Sequence, residues 1–359
     1  MANKFRKIGV LTSGGDAPGM AASVRAITRA ALANGVEVLG ILGGYRGLID
    51  NDVIPLSARS VTNIIQRGGT PLMTDRCDEF KTPEGMAKAI ETCKKNNIDA
   101  IVAIGGDGTF RGATDLTNHG IPTIGVTGTI DNDITATDYS VGFDTAMNTV
   151  INSVDKLRDT CESHARCTVV EVMGRDCGEI ALYTGLASGA VGIAIPEIKF
   201  DVDACIERIK AEKADGKRNF IVIVSEGVVG EKTKHFGEEL APLIEEKTGV
   251  ESRFTNLGHT VRGGSPTLRD RVAATRMGET AVKLLLEGKS NLVICEIDSK
   301  ITPVDINYAL ILDRMYKNKL KDGDLNAYTD DQISEMREIC AKKSAFLKEL
   351  YSLATNLSK

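Results

Sequence analysis

Three glycine-bearing loops and a set of scattered cations concentrate the residue types that phosphate and proton chemistry use. Gly14-Gly15-Asp16 follows the apolar run KIGVLT (7–12), and Gly105-Gly106-Asp107-Gly108-Thr109 follows DAIVAIG (99–105), with Gly112 on the inner face of the next helix. Gly128-Thr129-Ile130-Asp131-Asn132-Asp133 follows IPTIGV (121–126), and the cations are Arg76, Arg166, Arg175, Arg253, His259 and Arg262. Glycine at a strand-to-helix turn leaves main-chain N–H groups open, so an anion such as a phosphate can approach closely. Asp107, set among three glycines, offers a hard oxygen to Mg²⁺, an ion that keeps several waters and needs few protein carboxylates. Asp131 and Asp133 can divide labour: one takes the proton of an attacking hydroxyl, the other organises the loop or the metal's waters. Arginine forks match phosphate oxygens and can balance charge that shifts during transfer. Each feature alone has an ordinary structural reading, since glycine turns join strands to helices and Asx-rich loops cap helices. Neither a Walker A pattern nor a protein-kinase glycine loop occurs.

Strands and helices must alternate to position these loops. The first series is KIGVLT, a helix over Pro18–Asn34 with Pro18 in its first turn, VEVLGIL (36–42), a helix over Pro83–Asn97, DAIVAIG and IPTIGV. A long amphipathic segment at Ser140–Cys161 leads to a second series: TVVEVM (168–173), a helix from Cys177, GIAIPE (192–197), a helix from Asp201 and NFIVIVSEG (219–227). A third stretch has a helix at Leu268–Glu287 and a strand at NLVICEI (291–297). Such alternation predicts α/β architecture with parallel sheets, and 359 residues suit two domains. Ligands then belong beyond the carboxyl ends of the strands, where the loops lie. A tail helix is expected from Thr329, whose spacing to Gln332 fits a capping box, with Phe346, Leu350, Leu353 and Leu357 on its docking face.

Composition excludes other classes. A net charge of −5, 4% aromatics and no Trp argue against a nucleic-acid partner. No run approaches the roughly 18 apolar residues that span a bilayer, and the start runs into a strand without a signal-type segment, so no membrane and a cytoplasmic location are expected. Eight cysteines without a Cys-x-x-Cys pair signal neither zinc nor a disulfide framework.

The strings LTSGGDAPGM, IGGDGT, GTIDND, EVMGR, SEG and LGHTVRGGSP, in this order over about residues 5–315, resemble the phosphofructokinase family, and within it the bacterial ATP-using members. IGGDGT alone is shared with NAD and diacylglycerol kinases; GTIDND and MGR separate them. The resemblance implies ATP-dependent phosphorylation of fructose 6-phosphate at the 1-hydroxyl, with Mg²⁺. It also implies a homotetramer, and two Rossmann-like three-layer lobes with mostly parallel sheets and the active site in the cleft between them. The larger, nucleotide-binding lobe is expected over 1–142 plus 261–311, and the sugar-phosphate lobe with its helical tail over 143–260 plus 312–359.

Roles carry over by the same resemblance. Asp131 matches the general base, Asp107 the magnesium-associated carboxylate, and Arg175 a cation that stabilises the moving phosphoryl group. Gly14, Arg76 and Thr129 match positions around that group. Tyr45, Gly108 and Thr109 match nucleotide contacts, and Gly14, Arg76, Cys77, Asp107 and Gly112 join that set. Met173, Gly174, Glu226, His259 and Arg262, with Thr129, Asp131 and Arg175, match sugar-phosphate contacts, while Arg166 and Arg253 match residues that reach it from a neighbouring subunit. Arg25, Arg29, Arg158, Lys217 and Arg218 match the lining of an allosteric effector site. That pocket is weakened here by Ala58 for an arginine, Val191 for an acidic residue and Asp215 for a lysine. Cys77 stands for a frequent aromatic beside the nucleotide, and Ala21 and Thr127 for asparagine and proline. Diphosphate-dependent members carry aspartate at the place of Gly108 and lysine at that of Gly128, so both glycines favour ATP. A silent regulatory subunit would tolerate loss of Asp107, Asp131 or Arg175, and all three are present.

Overall fold

The computed structural model describes residues 5–358; residues 1–4 and Lys359, the outer ends of the expected lobes, lie outside the described residues. In chain order the elements begin β1 (Lys7–Thr12), α1 (Met20–Ala33), β2 (Glu37–Ile41), α2 (Tyr45–Asp50), β3 (Val53–Leu56), α3 (Pro83–Lys95), β4 (Ala100–Gly105), α4 (Asp107–Asn118), β5 (Thr123–Thr127) and α5 (Phe143–His164). They continue with β6 (Cys167–Val172), α6 (Glu179–Ser188), β7 (Gly192–Ala194), α7 (Val202–Ala214), β8 (Phe220–Ser225), α8 (Phe236–Thr248) and β9 (Ser252–Asn256). The last are α9 (Leu268–Leu286), β10 (Leu292–Ile297), β11 (Lys300–Asp305), α10 (Ile306–Tyr316) and α11 (Asp330–Leu357).

The chain forms two compact units: unit 1 runs to Ile130 and resumes over Ile134–Thr145 and Arg262–Cys340, and unit 2 takes Asp131–Asp133, Ala146–Val261 and the chain from Ala341. Residues 312–340 therefore lie in unit 1, whereas 312–359 was expected with the second lobe. Burial explains the difference, because Leu312 of α10 and Met336 of α11 join the core of unit 1, with Ile339 and Cys340 packed against it.

Unit 1 is built on a sheet ordered β11-β10-β5-β4-β1-β2-β3. Its middle is parallel, and the outer pairs β2–β3 and β10–β11 are antiparallel. The two edge strands, each carrying a proline (Pro55 and Pro303), were not anticipated; an edge tolerates the missing N–H, and proline breaks the strand signal. Alternation along β4 sends Ile101 and Ala103 into a core with Leu48 of α2, Ala89 of α3, Phe110 of α4 and Leu312 of α10. On the other side α1 packs on α9. A Cβ at Gly278 would lie 2.9 Å from Cβ of Ala26, so glycine permits that approach. Helix α1 starts at Met20, which leaves Pro18 outside the first turn where it was expected. Gly19 precedes the helix with φ of 103°, where a Cβ would sit 2.5 Å from Val141 Cγ1.

Unit 2 holds a fully parallel sheet, β7-β8-β6-β9. Val169, Val222 and Val224 pack against Cys205 and Ile209 of α7 and Leu240 and Ile244 of α8. The capping box at α11 forms, with Thr329 N–H donating to Gln332 Oε1 at 3.0 Å and Gln332 N–H to Thr329 Oγ1 at 3.3 Å. The expected docking stripe forms only in part: Leu350 is half-buried, Phe346, Leu353 and Leu357 are exposed, and Leu347 and Ala354 are the buried ones. Tyr351, between those two, donates its hydroxyl hydrogen to Ile193 O. The helix carries apolar residues on more than one side, and the face read from the sequence is mostly the outward one.

Candidate active site

The three glycine loops follow neighbouring strands β1, β4 and β5 of unit 1, and the last three residues of the third, Asp131–Asp133, belong to unit 2. Main-chain and side-chain bonds lock them together: Thr109 Oγ1 donates to Ser13 O at 3.0 Å, Ser13 N–H to Ile104 O at 3.0 Å and Gly128 N–H to Gly105 O at 2.9 Å. A Cβ at Gly105 would lie 2.4 Å from Ser13 O, so only glycine fits this crossing. Around Gly108, by contrast, the space is open. Asp107 stands in the first turn of α4, where a carboxylate suits the helix dipole. Its Oδ2 pairs with Arg111 at 2.7 Å, while the buried Oδ1 has no hydrogen-bond partner. Burial pushes its pKa up, with Arg111 opposing. A buried acceptor without a partner is costly and fits a cation ligand, so Asp107 suits Mg²⁺.

Tyr45 is buried, stacks on Phe80 with centroids 4.1 Å apart and donates to Thr109 O at 2.6 Å. Its ring occupies the space that a Cβ at Gly112 would need, 2.6 Å away. Both residues thus shape the loop from behind. Arg76 is exposed and Cys77 half-buried. Thr74 ties their segment to the first loop by donating to Gly14 O at 2.7 Å. The Arg262 guanidinium lies 3.3 Å from where a Cβ on Gly15 would stand and 3.9 Å from Asp16. Arg262 was assigned to the sugar phosphate, and the structure brings it to the GGD turn of unit 1.

In unit 2, buried Asp131 pairs through Oδ2 with Arg175 Nε at 3.1 Å. Asn132, in left-handed backbone, donates to Glu179 Oε2 at 2.8 Å. Gly174 and Arg175 both have positive φ, 146° and 52°. Glu226 Oε1 accepts from both of their N–H groups, at 3.1 and 2.9 Å, which holds this strained turn in place. Met173 is buried beside them, and His259 is exposed. Arg166 and Arg253 converge on Glu251, the former at 2.8 Å. Hydrogen bonding from Arg166 keeps the Glu251 carboxyl below its ordinary range.

A model of the phosphofructokinase family matches residues 7–285. This chain belongs to the phosphofructokinase family. It is 51% identical over 316 residues to the ATP-dependent 6-phosphofructokinase of Clostridium tetani, covering 88% of this chain and 97% of that one. It is also 51% identical over 318 residues to the protein of the same name from Clostridium botulinum strain Hall, covering 89% and 98%. Among solved structures, phosphofructokinase from Saccharomyces cerevisiae superposes with a TM-score of 0.80 at 32% identity, over 93% of this chain. This chain spans about half of that one, 49%. A pyrophosphate-dependent phosphofructokinase from Marinobacter aquaeolei shares the fold, with a TM-score of 0.74 at 21% identity, covering 84% and 83%.

Within the phosphofructokinase fold, several supporting residues escaped the sequence reading. Arg111 was legible, since Asp107 and Arg111 have the i,i+4 spacing of a helical ion pair. Asp16 and Asn132 were named only as members of their glycine loops, with no role, and Glu179 gave no such signal. Of the expected effector lining, Arg25 is half-buried and Arg29 exposed in unit 1. In unit 2, Arg158 donates to Asn219 Oδ1 and to Ser188 O, Lys217 pairs with Glu212, and Arg218 donates to Glu162 O. Val191 is sealed in the unit 2 core.

Proposed function

We propose that this chain is an ATP-dependent 6-phosphofructokinase, moving the terminal phosphoryl group of ATP to the 1-hydroxyl of fructose 6-phosphate and yielding fructose 1,6-bisphosphate and ADP. The observation that carries this reading is the pairing of buried Asp131 with the exposed Arg175, set in a strained turn that Glu226 pins. A buried carboxylate paired with a cation is weak as a stabilising device, and its retention here fits chemistry.

Asp131 takes the proton of the attacking hydroxyl, and Arg175 balances charge gathering on the phosphoryl group. Gly14 and Gly108 offer main-chain N–H groups to the nucleotide phosphates, Thr109, whose own N–H donates to Gly106 O at 2.9 Å, holds that turn, and Arg76 and Thr129 lie near the group that moves. Asp107 would hold Mg²⁺, which neutralises phosphate charge when bound. Glu226, Met173, Gly174 and His259 recognise the sugar phosphate, and Arg166 and Arg253 serve it across a homotetramer interface in the cytoplasm. Arg262 fits a phosphate contact at the Gly15 turn.

ATP is favoured over diphosphate by the names of the 51%-identical relatives and by space. A Cβ at Gly128 would already lie 3.1 Å from Ile104 Cγ2 and 3.3 Å from Met20 Cε, which leaves poor room for the lysine of diphosphate users. The test is purified protein with Mg²⁺, a panel of sugar phosphates, and either ATP or diphosphate. Fructose 1,6-bisphosphate formed with ATP is expected; a faster reaction with diphosphate, or another preferred acceptor, overturns the assignment.

A further inference from the structure

Asp270 lies in the first turn of α9, and no part of the proposed chemistry uses it, yet it is fully buried and accepts four hydrogen bonds. Oδ1 receives the Tyr139 hydroxyl at 2.5 Å and Gly142 N–H at 2.6 Å. Oδ2 receives Thr145 N–H at 2.9 Å and the Thr145 hydroxyl. All four donors belong to one short segment, Tyr139–Thr145. That segment is the neighbour of the GTIDND turn: Val141 bridges Gly128 in parallel register, and Ser140 Oγ donates to Thr129 O at 2.8 Å. It also abuts the start of α1, since a Cβ at Gly142 would lie 2.7 Å from Ala17 Cβ.

Resting on the phosphoryl-transfer reading above, we propose that Asp270 is a positioning residue, fixing Tyr139–Thr145 as a shelf that sets Gly128 and Thr129 at the end of β5. Two of the four donors are main-chain N–H groups, one on each oxygen, and these cannot reverse role. A carboxylate is therefore the group that serves both ends of the segment. A buried apolar residue would anchor a helix equally well, but it would leave the loop's donors unpaired and its height undefined. The Gly128–Thr129 turn precedes Asp131 by two residues, so an error at the shelf passes along the covalent chain to the proposed base.

The decisive variant is Asp270→Asn, which keeps shape but turns an amide hydrogen toward Gly142 or Thr145 N–H. We expect kcat to fall by roughly 10–100-fold, since small misplacements near reacting groups cost that much, with KM for nucleotide and sugar phosphate within about threefold. The fold should melt well above assay temperature, and Thr275→Ala on the exposed side of α9 serves as control. A double-mutant cycle with Ser140→Ala tests the route: losses that combine to less than their product support action through the shelf, and a full product overturns it. If Asp270→Asn does not fold, Tyr139→Phe and Thr145→Val each remove one hydroxyl donor and keep the main-chain bonds, and the same cycle decides. Unchanged kcat in folded variants overturns the proposal. Should the wild type prefer another donor or acceptor, the function reading fails separately and the same ratios are read with the preferred pair. A wild type that transfers no phosphoryl group overturns both.

Discussion

The two units prepare for ligands by opposite means. Unit 1 presents main chain: Gly14, Gly106 and Gly108 stand at strand-to-helix turns where glycine leaves N–H groups open to an anion, and the carboxyl among them, Asp107, keeps one buried oxygen without a partner. Unit 2 presents side chains, with carboxylates fixing both the arginines and the turns that carry them: Asp131 pairs with Arg175. Glu226 holds the Gly174-Arg175 turn, Glu197 accepts from Gly178 N–H at 2.8 Å, and Glu251 gathers Arg166 and Arg253. A main-chain donor fixed by its sheet loses nothing further on binding, whereas a free arginine forfeits up to about 2 kcal/mol of rotamer entropy when ordered. The carboxylates of unit 2 reduce that loss in advance. A phosphate chain needs many similar donors, which glycine turns supply, and a sugar phosphate needs few but directed groups.

The largest expected effect breaks the side-chain half of this contrast. Asp131→Ser should lower kcat by roughly 10²–10⁴-fold, the usual range for a positioned base. Sugar-phosphate binding, measured by calorimetry, should change little, because Arg175 and the turn pinned by Glu226 remain. Near-normal turnover would remove Asp131 as the base.

Two glycines sharpen the main-chain half. Gly105→Ala places a methyl 2.4 Å from Ser13 O and 2.3 Å from Thr109 Oγ1, at the crossing that joins two loops. Overpacking of this kind costs about 1–3 kcal/mol, so the melting temperature should fall together with activity. Gly108→Asp meets open space, so the fold should persist while the added charge repels nucleotide phosphate and raises KM for ATP. If both variants lost stability equally, the distinction between a packing glycine and a ligand-facing one would fail.

The sequence carried much of this, and its gaps have physical causes. Buried parallel strands such as AIVAIG and FIVIVS are continuous apolar runs, and the glycine turns after them stand out, so the loops of unit 1 were legible. The edges β3 and β11 were not, because partly exposed strands with an internal proline lack the strand pattern. Asp131, Arg175 and Glu226 were named from the sequence, yet their mutual bonds were invisible because they join positions far apart in the chain. Arg262 shows the same limit: the string LGHTVRGGSP named it, and only the fold brings it to Gly15. The face of α11 was misread because periodicity finds apolar stripes without saying which one is covered.

The smallest effect concerns the ion pairs of unit 1, which should matter little if that unit works through its main chain. Glu79 joins Lys88 of α3 at 2.9 Å and Arg46 of α2 at 2.6 Å, next to the Phe80 ring that stacks on Tyr45. Hydrogen bonds from Lys88 and then Arg46 hold the Glu79 carboxyl below its ordinary range. A lowered folded pKa means that the stabilisation is fully present above the unfolded carboxylate pKa and disappears as pH falls through the folded one. Glu79→Gln should therefore melt slightly below the wild type at neutral pH, and the gap should close on acidification into the carboxylate range. Salt should narrow it too, because these side chains are partly exposed. Activity should hardly move, since Tyr45 keeps its bond to Thr109 O and the loop it supports. A large loss of turnover in Glu79→Gln at unchanged stability would show that unit 1 also depends on charged side chains to shape its glycine loops.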